Sequence, residues 1–459
     1  MTLPLKRPTL AEALAAAKDT RALEIGSRIL AKTPEIFRQQ FGEKPAVIVA
    51  DANTFEVAGR IVHDAFHTKN QSLEPFIYTD PNLYAEYKFV EELQDSLKTH
   101  DAIPVAVGSG TINDLTKLAA HDLSRPYMCV ATAASMDGYT AFGASITQIG
   151  SKQTFFCPAP RAVVADLDII SAAPGDMNSW GYADLVAKVT AGADWMLSDG
   201  MGAEPVHAEA WRIIQPGLKE LIAGPTGVPA RRSESILRLV EGLMLAGFAM
   251  QAATNSRAAS GAEHQFSHLW DMQHHTHEGK APSHGFKVGI GTLAIAALYE
   301  YMLEQPIEKL DVDACCEAWP DEVALERLIP QKFSQGDLTV VALQESRAKW
   351  VTRDELRGQL TRLRNKWPEL RKRLSEQLLP FTALQAMLRN AGAPVEPEQI
   401  GISRERLRES FWLSYFLRRR ITVLDLAVRT NLLEKALYHL FGPRGQWPIA
   451  SASVKMVST

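Results

Sequence analysis

The stretch Val105-Ala-Val-Gly-Ser-Gly-Thr-Ile-Asn-Asp114 joins an apolar, β-branched segment to a helical one through a glycine turn. Gly108 and Gly110 let the chain turn sharply and let a phosphate group approach the backbone. The start of the following helix offers free N–H groups and the positive end of the helix dipole to such a phosphate, and Thr111 adds a hydroxyl. Asn113 stands where the third glycine of a complete G-x-G-x-x-G motif belongs, so a tight turn without a ligand is the alternative interpretation.

The first third of the chain alternates between strand and helix patterns. Short apolar runs separated by helical spacing predict βαβ units and a parallel sheet. The uniformly apolar character of these runs fits a sheet that is buried on both faces. The predicted strands are 45–50, 76–79, 103–107, 127–131 and 162–165, the predicted helices are 54–66 and 84–97, and the segment 154–170 has an extended pattern.

The pattern changes near Pro174. After this residue helical periodicity dominates to the end of the chain, as in the apolar run Ser233–Ala253 and the charged run Asp354–Glu376. We therefore predict an α/β domain over residues 1–173 and an all-α domain over residues 174–459.

The bulk composition is typical of a globular protein with two or three domains. A net charge of -4 over 459 residues gives no reason to expect a nucleic-acid partner. The four cysteines show no zinc-finger spacing, which indicates a reducing compartment. The N-terminus has no signal-peptide pattern, and no run of about 18 uncharged apolar residues occurs. We therefore expect a cytoplasmic protein without a membrane span.

Polar residues follow two further predicted strands where those strands end. Asp51 follows the strand 45–50, and Thr132 and Ser135 follow the strand 127–131. The carboxyl ends of parallel strands form the edge at which open α/β sheets bind ligands, so these residues are candidates for dinucleotide binding. The carboxylate of Asp51 suits ribose hydroxyls and repels a 2′-phosphate, which favours NAD over NADP. A helix N-terminal cap is the alternative role of Asp51.

One carboxylate and several histidines are candidates for a metal site. Asp184 lies in an otherwise apolar run with helical spacing, and a buried carboxylate needs a charge partner or a metal. His264 and His268 are four residues apart on one face of a helix, and His284 begins a glycine-rich apolar run. One carboxylate and two imidazoles give a three-ligand site with open positions for substrate or water. Core or surface histidines with ordinary hydrogen bonds are the alternative.

Five motifs occur in an order that resembles a known family. They are Gly108-Ser-Gly-Thr-Ile-Asn-Asp114, Thr132-Ala-Ala-Ser-Met-Asp-Gly138, Gly181-Tyr-Ala-Asp184, Ser260-Gly-Ala-Glu-His264 and Ser283-His-Gly285. Together, over residues 20–300, they resemble the glycerol-1-phosphate dehydrogenases, the bacterial branch in particular. That family belongs to a wider group with the iron-containing alcohol dehydrogenases, the glycerol dehydrogenases and the dehydroquinate synthases.

The resemblance implies a dehydroquinate synthase-like fold, with a Rossmann-like N-terminal domain, a helical C-terminal domain and the active site in the cleft between them. It implies NAD or NADP as cofactor, one divalent metal (zinc, nickel or iron) and a homo-oligomer such as a homodimer. The implied metal ligands are Asp184, His264 and His284, and the implied substrate contacts are Asp137, Asp184 and His268. The implied dinucleotide contacts are Gly108, Ser109, Gly110, Thr111, Asp114, Thr132 and Ser135.

The chain departs from its wider group at two positions near these motifs. Ala141 stands where the family has a serine that contacts the cofactor. Lys188 stands where iron-containing alcohol dehydrogenases have a further histidine ligand, so the chain matches the branch with three ligands. A substrate phosphate needs cations nearby, and Lys188, Arg257 and Lys287 are the candidates because they lie close in sequence to the implied ligands. The resemblance offers no interpretation of the region from about 301 to 400.

The predicted function is a metal-dependent dehydrogenase that passes hydride between a nicotinamide dinucleotide and a small polyol phosphate. A metal bound to the substrate hydroxyl lowers its pKa, which hydride departure requires. His268 is the candidate for proton relay or for hydrogen bonding to the substrate, and Asp137 is grouped with it at the reacting centre.

Other functions remain as alternatives. They are a dehydrogenase of an unphosphorylated polyol, a lyase of the dehydroquinate synthase type, and a non-catalytic binding protein on this scaffold. Asp184 disfavours the lyase, which has a glutamate as its metal carboxylate, and retention of all three ligands disfavours the binding protein. A non-haem iron oxygenase also uses two histidines and a carboxylate, but the glycine turn argues against it.

Overall fold

The computed structural model describes residues 7–69, 71–148, 151–333 and 336–450. Their strands are β1 (Ala22–Gly26), β2 (Ala46–Asp51), β3 (Phe76–Tyr78), β4 (Ile103–Gly108), β5 (Met128–Ala131), β6 (Ala144–Gln148), β7 (Ser151–Phe155) and β8 (Ala162–Asp166). One parallel sheet has the order β1-β8-β5-β4-β2-β3, and β6 and β7 pair as an antiparallel hairpin. The predicted parallel sheet is confirmed.

Helices connect the strands and make up the regular structure after β8. They are α1 (Leu10–Ala16), α2 (Thr33–Phe41), α3 (Ala52–Thr54), α4 (Arg60–His67), α5 (Tyr87–Leu97), α6 (Gly110–Asp122), α7 (Leu167–Ala172), α8 (Met177–Val186), α9 (Lys188–Met201), α10 (Ala208–Ile214), α11 (Leu218–Leu221), α12 (Ser233–Ala253), α13 (Ala262–Met272), α14 (His284–Glu304), α15 (Val312–Ala318), α16 (Glu322–Lys332), α17 (Gly336–Lys349), α18 (Arg353–Gln377), α19 (Phe381–Asn390), α20 (Arg404–Phe416), α21 (Val423–Arg429) and α22 (Leu433–Phe441). A π-helical stretch, Phe55–Gly59, joins α3 to α4. The predicted change to helical structure is confirmed, and α12 has the predicted bounds.

Strand register brings several predicted ligand-binding residues to one edge of the sheet. The strand β2 pairs with β4 as far as Val49 opposite Ala106, and the two strands end two residues later, at Asp51 and Gly108. Gly108 pairs with Ala131 at the end of β5, and the N–H of Thr132 donates to the carbonyl of Gly108 at 3.1 Å. Asp51, the glycine turn and Thr132 therefore share the carboxyl edge at which open α/β sheets bind ligands.

Parts of the α/β region differ from the prediction. The strand β1 has no uniformly apolar run, because it lies at the edge of the sheet and exposes Glu24. The β6–β7 hairpin also lacks such a run, because its strands are only partly buried. The extended pattern predicted as far as Ile170 is wrong after Asp166. There the Asp166 carboxylate accepts the N–H of Asp168 and caps α7.

The chain divides by packing into two compact units built from several segments. The first comprises residues up to Leu185 with His207–Ala259 and Asn390–Ala393, and the second comprises Val186–Val206, Ser260–Arg389 and the residues from Pro394 onward. The strands all belong to the first unit, together with α12. The last strand, β8, ends before residue 173, and the helices after it belong to both units. The domain boundary at residue 173 stays a prediction.

Two helices are long and apolar enough to cross a membrane by length and composition, namely α12 and α14. The apolar windows of these helices are 72% and 78% buried inside the protein. A helix that is apolar on all sides is typical of a buried core element. Packing within each unit therefore accounts for their composition.

Lys117 of α6 anchors the loop that follows the Thr132–Gly138 motif. Its side chain is buried, and its Nζ donates to the carbonyls of Gly138, Ala141 and Gly143 at 3.1, 2.9 and 3.0 Å. Burial of an ammonium group is tolerated only when its donors are satisfied. Three carbonyls match the three N–H donors of lysine, so this contact holds the loop against the helix.

We expect Lys117→Met to lower the free energy of unfolding by about 2 kcal/mol or more, because three buried carbonyls lose their donor. Guanidinium denaturation followed by circular dichroism measures the change. Lys98→Met is the control, since it removes an exposed ammonium of the same unit that pairs with Asp95, and its midpoint should equal that of the wild type. Equal midpoints for the two variants would show that the loop does not depend on Lys117.

Candidate metal and dinucleotide site

The turn after β4 is shaped for close packing of a strand against a helix. A Cβ atom added to Gly108 would lie 2.6 Å from Cβ of Ile112, so any larger residue would push the first turn of α6 away from β4. Ser109 is the N-cap of α6 and, among the described residues, its side chain accepts no hydrogen bond from the helix. The first-turn amides of a helix have no partner within the helix, so the predicted phosphate contact at this turn stays a prediction that the geometry allows.

Both acidic residues that are candidate dinucleotide contacts make structural contacts as well. Asp51 is the N-cap of α3, where its Oδ1 accepts the N–H groups of Asn53 and Thr54 at 2.8 and 3.0 Å. The cap that was the alternative interpretation of this residue is therefore present. Oδ2 of Asp114 accepts the N–H of Ser145 at 3.1 Å, and burial raises the pKa of Asp114.

The segment that follows β5 is buried around its polar residues. Thr132 and Ser135 are 5% and 8% exposed. Further along, Ala141 packs with Met250 and Ala259 in an apolar cluster. The position at which the family has a serine therefore has apolar neighbours in this chain, which suits the alanine found there.

Asp184 is buried because α8 lies directly against the segment after β5. A Cβ atom added to Gly181 would lie 1.9 Å from the carbonyl oxygen of Ala134, so only glycine allows this approach. Asp184, one turn along α8, has no exposure to solvent. Its Oδ2 accepts the N–H of Asp137 at 3.2 Å. The glycine and the two aspartates of the predicted motifs are thus brought together.

A second glycine brings the three candidate histidines together. A Cβ atom added to Gly291 of α14 would lie 2.4 Å from the carbonyl oxygen of Glu263 in α13, so these helices pack at close distance. The ring centroids of His264 and His284 are 5.3 Å apart. The ring centroid of His268 lies 6.5 Å from that of His264 and 6.3 Å from that of His284.

Each of the two predicted histidine ligands has a hydrogen-bond partner at Nδ1. Oε1 of Glu263 lies 2.8 Å from Nδ1 of His264, and Oγ of Ser267 lies 3.2 Å from Nδ1 of His284. Burial alone raises the pKa of Glu263, but hydrogen bonds from His264 and from the N–H of Gly261 outweigh it and leave the pKa below its ordinary value. A carboxylate at Nδ1 selects the tautomer that leaves Nε2 unprotonated, which is the nitrogen that a metal would bind.

Asp184, His264 and His284 form one cluster of metal-ligating atoms. A carboxylate oxygen of Asp184 and one ring nitrogen of each histidine all lie within 4.8 Å of one another. Nitrogen and oxygen donors of these types bind zinc, nickel and iron. The residues therefore fit a divalent ion that keeps open positions for a substrate.

The cations predicted to face a substrate phosphate are all buried. Lys188 and Arg257 have no exposure to solvent, and Lys287 is 3% exposed. The Nζ of Lys287 forms an ion pair with Asp271, which lies on α13 together with His264 and His268. Lys287 thus has a structural partner in addition to its predicted role.

Sequence reasoning missed two residues that hold the site in place. Glu263 directly precedes His264, so its adjacency was an available signal. Asp194 gives no such signal, because it lies far from the histidines in sequence. Its Oδ2 accepts the N–H of Ala262 at 2.7 Å and its Oδ1 accepts the hydroxyl of Tyr299 at 2.6 Å. It therefore fixes the start of α13 against α14.

The chain is similar in sequence to known dehydrogenases. The family model for iron-containing alcohol dehydrogenase matches residues 24–174. The chain is similar to the glycerol-1-phosphate dehydrogenase (NAD(P)+) of Halalkalibacterium halodurans, with 34% identity over 289 residues that cover 62% of this chain and 72% of the relative. It is also similar to the protein of the same name from Geobacillus thermodenitrificans, with 29% identity over 398 residues that cover 85% of this chain and 88% of the relative.

Among solved structures, the fold is similar to that of glycerol dehydrogenase from Schizosaccharomyces pombe, with a TM-score of 0.58 and 15% identity over 95% of this chain and 92% of the other. The fold is also similar to that of a probable glycerol dehydrogenase from Sinorhizobium meliloti, with a TM-score of 0.56 and 15% identity over 92% of this chain and 96% of the other. These structures support the predicted fold class. The relative at 34% identity shows that the chain belongs to the glycerol-1-phosphate dehydrogenase family, within the iron-containing alcohol dehydrogenases.

Proposed function

We propose that this enzyme interconverts sn-glycerol-1-phosphate and dihydroxyacetone phosphate with NAD or NADP, using one divalent metal held by Asp184, His264 and His284. The observation that carries the proposal is the cluster of these three donors within 4.8 Å. Two relatives, at 34% and 29% identity, bear the name glycerol-1-phosphate dehydrogenase, which supports the phosphorylated substrate.

The proposal extends to the metal, the compartment and the assembly. The donor set suits zinc, nickel and iron(II). The four cysteines are free and buried, which supports the reducing environment of the cytoplasm. A homodimer is the assembly that the family resemblance implies.

Oxidation of the alcohol moves a hydride from the carbinol carbon to the nicotinamide ring and removes a proton from the hydroxyl. When bound, a divalent ion supplies Lewis acidity, which lowers the pKa of that hydroxyl. His268 lies one turn after His264 on α13, and we assign it to hold the substrate oxygen or accept its proton. Asp137, whose N–H holds the Asp184 carboxylate, is assigned to substrate contact.

The dinucleotide is assigned to the carboxyl edge of the sheet. The first-turn amides of α6 and the hydroxyl of Thr111 face the position of a pyrophosphate in this proposal. Asp51, at the end of the strand that neighbours β4, is assigned to the ribose. Lys188, Arg257 and Lys287 are the candidate partners of the substrate phosphate, and their burial would strengthen charge-assisted hydrogen bonds to it.

The proposed reaction is tested by NADH oxidation with dihydroxyacetone phosphate and with dihydroxyacetone, before and after chelation and metal reloading. We expect oxidation that disappears on chelation, returns on reloading, and is faster with the phosphorylated ketone. NADH oxidation with dihydroxyacetone but not with its phosphate would assign the enzyme to an unphosphorylated polyol. Failure to reduce either ketone with any of the three metals would refute the dehydrogenase proposal.

Glu263→Gln should weaken metal binding about 10- to 100-fold, because the amide replaces the carboxylate that orients His264. Competition with a chromophoric chelator measures the dissociation constant directly, without reference to turnover. Glu304→Gln is the matched control on the exposed last turn of α14 and should bind metal as tightly as the wild type. Equal metal affinities in the two variants would remove the positioning role of Glu263.

Asp51→Asn should raise the preference for NADP relative to NAD about fivefold, which corresponds to about 1 kcal/mol. The amide retains an oxygen for the α3 cap but loses the charge that repels a 2′-phosphate. Asp122→Asn, at the opposite end of α6, is the control. The ratio of kcat/KM values for the two dinucleotides is the measurement. An unchanged ratio would leave Asp51 with the capping role alone.

A further inference from the structure

A cavity of about 450 Å³ lies at the amino edge of the sheet in the first unit. Its lining includes Arg21, which directly precedes β1, Arg161, which directly precedes β8, and Tyr127, which directly precedes β5. These are three neighbouring strands. The cavity therefore lies at the end of the strands opposite to the edge that holds the glycine turn and Thr132.

The sheet register places two arginines side by side in this cavity. Ala22 pairs with Ala162 in the parallel ladder. One residue earlier, the N–H of Arg21 donates to the carbonyl of Arg161 at 2.8 Å. Like charges on neighbouring strands repel each other and destabilise the pairing. An anion bound between the two guanidinium groups would replace this repulsion with attraction and would stabilise the strand pairing.

The charge of the lining is strongly positive. The lining contains the cations Lys18, Arg21, Lys117, Arg125 and Arg161 and the carboxylate of Asp19. Oδ2 of Asp19 accepts the N–H of Ala159 at 3.0 Å. In the part of the chain that the structure describes, Lys18, Arg21 and Arg161 form no ion pair with a carboxylate. A concave surface lined by one sign of charge focuses the potential that attracts a counter-ion.

The other two cations help to shape the cavity. The guanidinium of Arg125 donates to the carbonyls of Ala102 and His100 at 3.3 and 2.6 Å. Lys117 is committed to the three carbonyls of the loop that follows β5. Lys117 also forms an ion pair with Asp114 at 3.8 Å, so its charge is offset by a carboxylate. Carbonyl groups do not neutralise Arg125, which adds to the positive potential beside Arg161 and beside Arg21, whose guanidinium also donates to the carbonyl of Ala17 at 3.5 Å.

We propose that this cavity binds a small anion that carries at least two phosphate or carboxylate groups. The planar fork of each arginine binds such a group through two parallel hydrogen bonds, so the Arg21–Arg161 pair matches two groups on one ligand. The volume of about 450 Å³ is that of a site for a small metabolite. The site is separate from the dinucleotide and metal sites of the proposed function, because those use the opposite edge of the sheet and α13 and α14.

Isothermal titration of the full-length protein, saturated with NADH and in about 50 mM salt to limit screening, tests this inference. Pyrophosphate and citrate are the two probes, so that phosphate and carboxylate ligands are distinguished. We expect at least one probe to bind with a Kd below about 1 mM and the double variant Arg21→Met/Arg161→Met to bind it at least about tenfold more weakly. Arg60→Met is the matched control, since it removes an exposed arginine of the same unit that pairs with Glu56, and it should bind as the wild type does.

Thermal unfolding supplies an independent readout. The bound probe should raise the Tm of the wild type and of Arg60→Met but not that of the double variant. Lys18→Met provides a milder variant that should weaken binding by a smaller factor while leaving both arginines in place. Failure of both probes to bind, or equal binding by the double variant and the control, would overturn the proposal. Binding that survives loss of both arginines would belong to the substrate site instead.

Discussion

The Asp184 carboxylate has no exposure to solvent, and its burial is the constraint on which the rest of the site depends. A buried anion is destabilising unless hydrogen-bond donors or a cation compensate its charge. The N–H of Asp137 is one such donor. The ring nitrogens of His264 and His284, within 4.8 Å, complete a donor set that suits a divalent cation. In this account one ion would compensate the buried charge and acidify the substrate hydroxyl.

Close approach of backbone segments places these donors. Gly181 brings α8 against the carbonyl of Ala134, and Gly291 brings α14 against the carbonyl of Glu263. Each glycine costs its helix about 1 kcal/mol relative to alanine. Any Cβ atom would collide with the opposing carbonyl, so the close packing depends on glycine at both positions. The absence of a side chain at Gly108 likewise lets the first turn of α6 pack closely on β4. The amides of that turn then lie at the edge of the sheet that is assigned to the dinucleotide.

The sequence allowed the elements with strong periodicity and the residues of the family motifs to be predicted. The strand β4 and the helix α12 were predictable because one is buried on both faces and the other is long and mostly apolar. The edge strand β1 was not, because partial exposure weakens its hydrophobic pattern. Contacts made by side chains distant in sequence, such as those of Lys117 and Asp194, appear only once the chain has folded. For the same reason Arg21 and Arg161 look like ordinary surface residues until the register places them side by side.

X-ray absorption at the zinc K-edge of the zinc-loaded protein reports directly on the atoms that bind the metal. We expect a first shell of nitrogen and oxygen donors at about 2.0–2.2 Å, without sulfur. Outer-shell scattering should correspond to two imidazole rings, those of His264 and His284. A first shell made only of oxygen, or one that contains sulfur, would contradict the assignment of the metal to Asp184, His264 and His284.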